Sequence, residues 1–244
     1  MEELTPRQID ILKRIVQEYT ETGEPVGSEV LEKKYRLGVS PATIRNEMVA
    51  LAGKGYLKKS HFSSGRVPSA KGYRYYITNI MQEKQLSTIE EVAFKNSLWD
   101  SRTETHRLLA TGTKILADKT GLVAISATNT GDLYYAGIVH LFDNLTVLDI
   151  PTTRELCDIL DKVAFWQQVM QRFITSNQDV FYMLGEEDFA DPALEPIASV
   201  LGDFKIGDVQ GVIGLVGPKR MKFDVFIPQV RYFSHLLEEI ANKT

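Results

Sequence analysis

The segment SPATIRNEM, residues 40–48, contains the side chains best suited to specific recognition chemistry. Arg45 can donate to both acceptors of guanine, and the Asn46 amide matches the donor and acceptor of adenine. Ala42 and the methyl group of Thr43 are small enough to lie against a thymine methyl group. If the segment is a helix, its first amides favour a phosphate. This combination indicates a surface that reads base edges and contacts a nucleic-acid backbone.

Cationic and hydroxyl side chains follow this segment closely. Lys58, Lys59 and Arg66 provide positive charge for phosphate oxygens, and Ser63 and Ser64 provide hydroxyl donors. The residues predicted to contact DNA are therefore Ser40, Pro41, Ala42, Thr43, Arg45, Asn46, Lys58, Lys59, His61, Ser63, Ser64, Gly65 and Arg66.

The distribution of charge also indicates a polyanionic partner. The net charge is −4, yet residues 1–84 hold 14 basic and 10 acidic side chains, and the remaining residues hold 14 and 22. Between residues 36 and 82, eight basic side chains accompany one carboxylate, Glu47. A basic block on an acidic body is typical of nucleic-acid binding. A solvated surface with unpaired lysines would give the same counts.

The first of three predicted helices has a clear start. Thr5, Pro6 and Gln8 match a capping box with proline at the first helical position. Gly23 and Pro25 are expected to end the helix. Its apolar stripe is predicted to consist of Ile9, Leu12, Ile15, Val16 and Tyr19.

The next two helices form the predicted helix-turn-helix. A helix is expected over residues 28–35, with Ser28 as its cap and Val30 and Leu31 facing inward. Ser40 is expected to cap the third helix, with Pro41 at its first position. The residues spaced for its core face are Ile44, Met48 and Leu51.

A strand from Tyr56, a loop over residues 61–65 and a return strand at residues 66–68 complete the first domain. Three helices and a two-stranded hairpin predict a winged helix-turn-helix, whose third helix enters the major groove. The alternative is a small structural domain whose third helix merely packs, but the basic hairpin favours DNA binding. Tyr73, Tyr75 and Tyr76 either stack on bases or, as is more common, pack in the protein.

The second half alternates helices and strands, which predicts an α+β fold. Helices are expected over residues 105–119, 153–174, 192–201 and 230–241. Strands are expected over residues 122–127, 133–142, 145–150, 179–184, 210–216 and 221–227.

No residue set predicts a catalytic centre, a metal site or a cofactor site. The four histidines have no ligand spacing, and the single cysteine, Cys157, excludes both a thiolate cluster and an internal disulfide. The acidic run 185–188 lacks the alternation of a calcium loop. No stretch reaches the roughly 18 apolar residues of a membrane span, and the first residues do not match a signal peptide. These features predict a cytoplasmic protein.

Three long stretches resemble the family of the heat-inducible transcription repressor HrcA. They are LTPRQIDILKRIVQEYTETGEPVGSEVL, LGVSPATIRNEMVALAGKGYLKKSHFSSGRVPSAKGYRYYI and GPKRMKF, of which the first two cover nearly all of residues 4–77. The resemblance implies a repressor of chaperone operons that binds an inverted-repeat operator, loses activity on heat stress and is helped by a chaperonin. It also implies a GAF-like second domain.

The sequence departs from that family in two places. Members of the family are commonly longer, with a dimerising domain inserted in the GAF-like body, and the stretch between Ile150 and Gln210 is too short for a full insert. Lys222 and Phe223 stand where the family usually has aspartate and tyrosine.

The predicted organisation is a winged helix-turn-helix domain over residues 1–84, a connector over residues 85–101, and a GAF-like α+β domain with a shortened insert over residues 102–244. An inverted repeat requires two copies related by a two-fold axis, so we expect a homodimer. The candidate interfaces are residues 78–99 and residues 153–174, which include Phe165, Trp166 and Phe173.

Two other functions fit the sequence. A metabolite-sensing winged-helix regulator would bind a small ligand in the GAF-like domain. An enzyme with a nucleic-acid-binding appendage would require a catalytic set, and the sequence does not supply one.

Overall fold

The computed structural model describes residues 3–59, 64–143, 148–176 and 178–242. It divides into two compact units, Met1–Gln82 and Glu83–Thr244. The division therefore falls two residues before the predicted end of the first domain. No described helix is both long enough and apolar enough to cross a membrane.

The first unit is a winged helix-turn-helix, which confirms the prediction. It consists of α1 (Pro6–Thr22), α2 (Ser28–Tyr35), α3 (Pro41–Gly53), β1 (Leu57–Lys59), β2 (Arg66–Pro68) and α4 (Ala70–Tyr75), which continues as a π-helical turn over Tyr76–Ile80. The strands β1 and β2 pair antiparallel and form the wing.

The helix starts agree with the sequence in α1 and α3 but not in α2. Thr5 and Gln8 form the reciprocal capping box at the start of α1. In α2, Ser28 is the first helical residue rather than the cap, and Gly27 occupies the cap position without a side-chain hydrogen bond. The prediction that Val30 faces inward was wrong, because Leu31 takes the core position and Val30 remains 43% exposed.

The second unit is an α+β body built on one antiparallel sheet, as predicted for a GAF-like domain. The strands are β3 (Val123–Thr128), β4 (Leu133–Ala136), β5 (Val180–Leu184), β6 (Ile197–Ile206) and β7 (Val209–Pro218), in the order β4-β3-β7-β6-β5. The helices are α5 (Thr88–Leu98), α6 (Thr105–Thr120), α7 (Val139–Asp143), α8 (Ile150–Leu160), α9 (Val163–Ser176), α10 (Glu186–Phe189) and α11 (Phe223–Ala241).

Helices cover both faces of this sheet. One face packs against α8 and α9, and Ile125, Leu160 and Trp166 lie in that core. The other face packs against α6 and α11. Helix α5, within the predicted connector, packs in the same unit, since the rings of Phe94 and Phe233 are 5.2 Å apart.

Burial on both faces explains one wrong prediction. Residues 192–201 are not a helix, because Pro192–Leu194 forms a short 3₁₀ turn and Ile197 begins β6. This strand lies between β5 and β7 with both faces covered, and its residues from Ile197 to Gly202 are all buried. A strand of that kind loses the alternation that distinguishes it from a helix.

Three other boundaries also differ from the predictions. The strand predicted over residues 133–142 ends at Ala136, where Gly137 turns the chain with a φ of 82°, and α7 follows. Of the strand predicted over residues 145–150, residues 145–147 lie outside the described residues, and Ile150 begins α8. The single helix predicted over residues 153–174 is two helices, α8 and α9.

The strand predicted over residues 221–227 belongs mainly to α11. Met221, Phe223, Val225 and Ile227 alternate along the sequence as the apolar residues of a half-buried strand do. The buried residues instead follow helical spacing, from Phe223 to Ile227 to Val230.

Candidate nucleic-acid interface

Helix α3 presents the predicted base-reading side chains on its open face. Ser40 Oγ accepts a hydrogen bond of 3.2 Å from the Thr43 amide and so fixes the start of the helix. Ile44, Met48 and Leu51 are buried, as predicted. Ala42, Arg45 and Asn46 are consequently exposed. Neither Arg45 nor Asn46 has a side-chain partner in the described part of the chain, so both are free to meet a ligand.

Glu47 lies on the opposite side of α3, against α1. Its carboxylate accepts a hydrogen bond of 3.0 Å from Gln8 Nε2 and lies 3.6 Å from Arg7. Lys54 donates to Gln8 Oε1 at 3.4 Å. Glu47, the only carboxylate in residues 36–82, therefore attaches α3 to α1. It does not lie on the face of α3 that carries Arg45. No local pattern in the sequence predicts this role, because Gln8 is 39 residues away.

A second polar cluster joins α1 to α2. Glu18, whose side chain is 8% exposed, accepts hydrogen bonds from Lys34 Nζ at 2.7 Å and Tyr35 Oη at 2.8 Å. Burial by itself raises the pKa of Glu18, but these two donors outweigh it and hold the pKa below its ordinary value. Burial and the adjacent Glu18 raise the pKa of Tyr35 to about 12. The cluster therefore holds α2 against α1 and has a structural role.

The wing places its cations beside α3. Lys58 and Lys59 are exposed, and Lys59 pairs in register with Arg66. The Arg66 guanidinium donates to the carbonyl oxygens of Ser64 and Gly65, at 3.1 and 3.3 Å. Of the remaining predicted wing contacts, His61 and Ser63 lie outside the described residues.

Gly65 has a steric role in this wing. A Cβ atom there would lie 2.8 Å from the carbonyl carbon and oxygen of Pro25. The next residue, Val26, exchanges backbone hydrogen bonds of 2.9 and 3.0 Å with Arg66. The wing is thus fastened to the segment that leads into α2.

The tyrosines after the wing pack within the first unit. Tyr73 is fully buried, and the rings of Tyr56 and Tyr75 meet edge to face at 5.4 Å. A buried ring cannot stack on a base, so Tyr73 packs in the protein core, which is the second of the two roles considered for it.

The second unit holds no cluster of three or more His, Cys, Asp or Glu residues placed for a metal ion, as far as its described residues extend. The acidic run after Gly185 forms α10, and Asp188 accepts a hydrogen bond of 2.7 Å from the Leu184 amide. A pocket of about 250 Å³ lies at the ends of α9 and β6, where Phe173, Asp203 and Lys205 are among its lining residues.

The two candidate dimer surfaces differ in what they expose. Trp166 and Phe173 are buried in the core, and Trp166 Nε1 donates to the Ile159 carbonyl at 2.9 Å. Phe165 stacks on Phe189. The same stretch exposes Val163 (37%) and Ile174 (51%), which lie at opposite ends of α9. Around α5, three apolar side chains are solvent-exposed: Ile89 (82%), Val92 (51%) and Trp99 (41%).

Comparisons with known proteins agree with this geometry. Residues 67–227 match the family model of the HrcA protein C terminal domain, and residues 1–64 match that of the LexA DNA binding domain. A curated relative from Clostridium tetani, named Heat-inducible transcription repressor HrcA, is 47% identical over 124 residues, which are 50% of this chain and 35% of the relative. The relative of that name from Roseiflexus castenholzii is 44% identical over 183 residues, or 72% of this chain and 51% of the relative.

One solved structure has a similar fold along the whole chain. It is a crystal structure described as a hypothetical protein, with a TM-score of 0.68, 19% identity and 98% coverage of each chain. The present chain spans between 35% and 51% of the length of the two curated relatives above. The C-terminal family model nevertheless matches residues 67–227 of the 244, which is more than half of the sequence. The chain therefore belongs to the HrcA family.

Proposed function

We propose that this chain is a transcriptional repressor of heat-shock (chaperone) operons that binds a double-stranded, inverted-repeat operator. The observation that carries the proposal is the open face of α3, where Arg45 and Asn46 are exposed and have no partner among the described residues. The wing adds Lys58, Lys59 and Arg66. The name of the curated relatives supports the regulatory role.

In this proposal, α3 and the wing make different contributions. Arg45 and Asn46 read base edges and therefore determine sequence preference. The wing cations contact phosphate oxygens and therefore determine affinity and its dependence on salt.

We further propose that the protein acts as a homodimer that pairs through α5. Ile89 and Val92 lie on α5, and Trp99 begins the 3₁₀ turn that follows it. Their spacings of three and seven residues place them in one apolar stripe along this segment. Phe94 and Leu98 lie on the opposite side and are buried in the second unit. Two copies of the stripe, related by a two-fold axis, would cover each other. The dimer would then bring two winged helix-turn-helix domains to an inverted repeat.

The dimer proposal can be tested by the substitution Val92→Glu. We expect the molar mass from light scattering to fall to that of a monomer, and operator binding to weaken because avidity is lost. Val30→Glu, an exposed valine on α2, is the control for the mass measurement. An unchanged mass for Val92→Glu would place the dimer interface elsewhere.

Loss of activity on heating would follow from the ordinary marginal stability of a domain, about 5–15 kcal/mol. If the repressor loses its active fold on heating and needs a chaperonin to recover it, the amount of active repressor depends on the amount of free chaperonin. Purified protein that binds operator equally before and after a heat step without chaperonin would contradict this part of the proposal.

The decisive experiment is nuclease footprinting of the purified full chain on the chaperone-gene promoters of its own genome. We expect a protected region with two-fold symmetry, which disappears with the Arg45→Ala variant at the same protein concentration. Binding without any preferred region would contradict the proposed function.

One observation favours a metabolite-sensing regulator as the second candidate. The pocket of about 250 Å³ near Asp203 is open and partly polar, and burial raises the pKa of the Asp203 carboxyl. A small molecule that raises the thermal midpoint of the wild type but not of an Asp203→Leu variant would support that function.

A further inference from the structure

The pocket of about 250 Å³ at the ends of α9 and β6 has two chemically different parts. One part is apolar and includes the rings of Phe173 and Phe204, which are both buried. The other part is charged and includes Asp179, Asp203 and Lys205. Sites for drug-sized ligands measure about 300–1,000 Å³, so this pocket suits a smaller molecule that is apolar at one end and charged at the other.

Asp203 and Lys205 lie on the same side of β6. Side chains two residues apart on a strand point to the same side of the sheet, with their Cα atoms about 7 Å apart. By the same alternation, this is the side that carries Leu201, which lies in one hydrophobic core with Phe173. The strand therefore places one anionic and one cationic group beside an apolar wall.

These charged groups have no ion-pair partner of their own in the part of the chain that the structure describes. Asp179, Asp203 and Lys205 all lack a salt bridge there. Arg231 acts on Asp179 electrostatically, but the Arg231 guanidinium donates two hydrogen bonds to Glu83. Both signs of charge in the pocket are therefore available to a ligand.

The environment of Asp203 favours a cationic group in particular. Burial raises the pKa of the Asp203 carboxyl, and Asp179 adds to the rise by repulsion. The backbone amide of Asp203 and the side chain of His235 only partly offset these effects. A raised carboxyl pKa means that the charged form lacks stabilising partners, which the ammonium group of a ligand would provide.

We propose that this pocket binds a free α-amino acid with an apolar side chain, whose ammonium group pairs with Asp203 and whose carboxylate pairs with Lys205. The apolar side chain of the ligand packs against Phe173. A divalent metal ion fits less well, because the described residues form no group of three carboxylate, imidazole or thiol ligands. The inference names the ligand class for the second candidate of the proposed function, and it rests on that candidate only for the position of the pocket.

The test titrates the isotopically labelled full chain with leucine and with its two halves, isopentylamine and isocaproate. We expect leucine to shift the amide resonance of Gly211, which lines the pocket, and to leave that of Gly112 on α6 in place. Leucine is expected to bind about tenfold more tightly than either half, because each half loses one charge-assisted contact. Glycine, which has no apolar side chain, is expected to bind more weakly than leucine.

Two substitutions are expected to have reciprocal effects. Asp203→Asn should weaken leucine and isopentylamine about tenfold and leave isocaproate unchanged. Lys205→Gln should weaken leucine and isocaproate and leave isopentylamine unchanged. Asp208→Asn and Lys114→Gln remove an exposed charge of the same sign outside the pocket and are the matched controls. The reciprocal pattern cannot arise from a general loss of folding, which would weaken all three ligands together.

The outcomes separate this inference from the proposed function. Isopentylamine that binds as tightly as leucine, or a Gly211 amide that leucine does not shift, would overturn the inference. Leucine that binds as proposed but leaves the operator footprint unchanged would support the inference and contradict the metabolite-sensing candidate. Bound leucine together with a footprint that has no preferred region would support the inference and contradict the repressor.

Discussion

The backbone amide of Lys84 donates a hydrogen bond of 2.8 Å to the carbonyl oxygen of Asp224. Pro228 lies four residues further along α11 and has no amide hydrogen, so it leaves that carbonyl without its helical donor. The Lys84 ammonium also lies 2.8 Å from the Asp224 carboxylate. The start of the second unit therefore fills a gap that a proline creates in its last helix.

The neighbouring Glu83 makes a two-pronged ion pair with Arg231, at 2.5 and 2.9 Å. We expect Arg231→Ala to lower the free energy of unfolding of the second unit by about 1–2 kcal/mol, since a paired carboxylate loses its donors. Urea denaturation followed by tryptophan fluorescence measures this, because Trp99 and Trp166 both lie in that unit. Arg172→Ala is the control, since Arg172 is 52% exposed, lies 3.8 Å from the Asp188 carboxylate and donates one hydrogen bond of 3.3 Å to the Asp188 carbonyl oxygen. An equal loss in both variants would contradict the prediction.

The same ion pair predicts a dependence of stability on pH. The hydrogen bonds from Arg231 hold the pKa of Glu83 below its ordinary value of 4.5, against the opposing effect of burial. Because the folded-state pKa is the lower one, the stabilisation is complete above pH 4.5 and is lost as pH falls through the folded-state pKa. We expect the difference in unfolding free energy between wild type and Glu83→Gln to be constant above pH 4.5 and to shrink below it. If the difference in unfolding free energy grew as the pH fell, the prediction would be contradicted.

The contact between Glu47 and Gln8 predicts an effect on DNA binding without contact to DNA. We expect Glu47→Ala to weaken operator binding several-fold and to speed amide hydrogen exchange in α3, because the helix loses its polar attachment to α1. Electrophoretic mobility shift and hydrogen exchange measure the two effects. Glu24→Ala removes an exposed carboxylate of the same unit and is the control for the change in charge. Tighter operator binding by Glu47→Ala alone would indicate that Glu47 acts only through its charge.

Substitutions on α3 and on the wing are expected to differ in kind. Arg45→Ala or Asn46→Ala should cost about 1–3 kcal/mol on the operator and reduce the preference over random DNA. Lys58→Ala or Arg66→Ala should weaken binding to both DNAs alike and reduce the salt slope by about 0.9. Titrations at several salt concentrations on both duplexes measure this. Unchanged discrimination by Arg45→Ala would show that α3 does not read the bases.

A glycine in the central strands is expected to be indispensable. A Cβ atom on Gly214 of β7 would lie 1.9 Å from the Val200 carbonyl oxygen and 2.8 Å from the Leu201 Cα atom of β6. Because β6 is paired on both sides, its backbone cannot move away. We expect Gly214→Ala to lower the free energy of unfolding by about 4 kcal/mol or more, measured by the same fluorescence assay. Gly53→Ala in the first unit, where no atom lies within 4 Å, is expected to change the unfolding free energy little, as followed by circular dichroism, because both tryptophans lie in the second unit.

The sequence alone determined the local features of the first unit. The capping residues Thr5 and Ser40, the prolines that follow them and the apolar spacing of Ile44, Met48 and Leu51 predicted α1 and α3 correctly. Interactions between residues three to seven positions apart decide such features, so they are visible in a single chain. The spacing of the four histidines along the chain is likewise visible in the sequence alone.

Only the tertiary structure decided what depends on residues far apart in the chain. Glu47 faces Gln8, 39 residues away, and Lys84 fills the gap left by Pro228, so neither role has a local signal. The strand β6 was mistaken for a helix because burial on both faces removed its alternation. Ser28 was predicted to be a cap, but in the fold it is the first residue of α2, and Gly27 occupies the cap position. Local patterns fix where helices begin, whereas packing fixes which polar groups remain free to bind a partner.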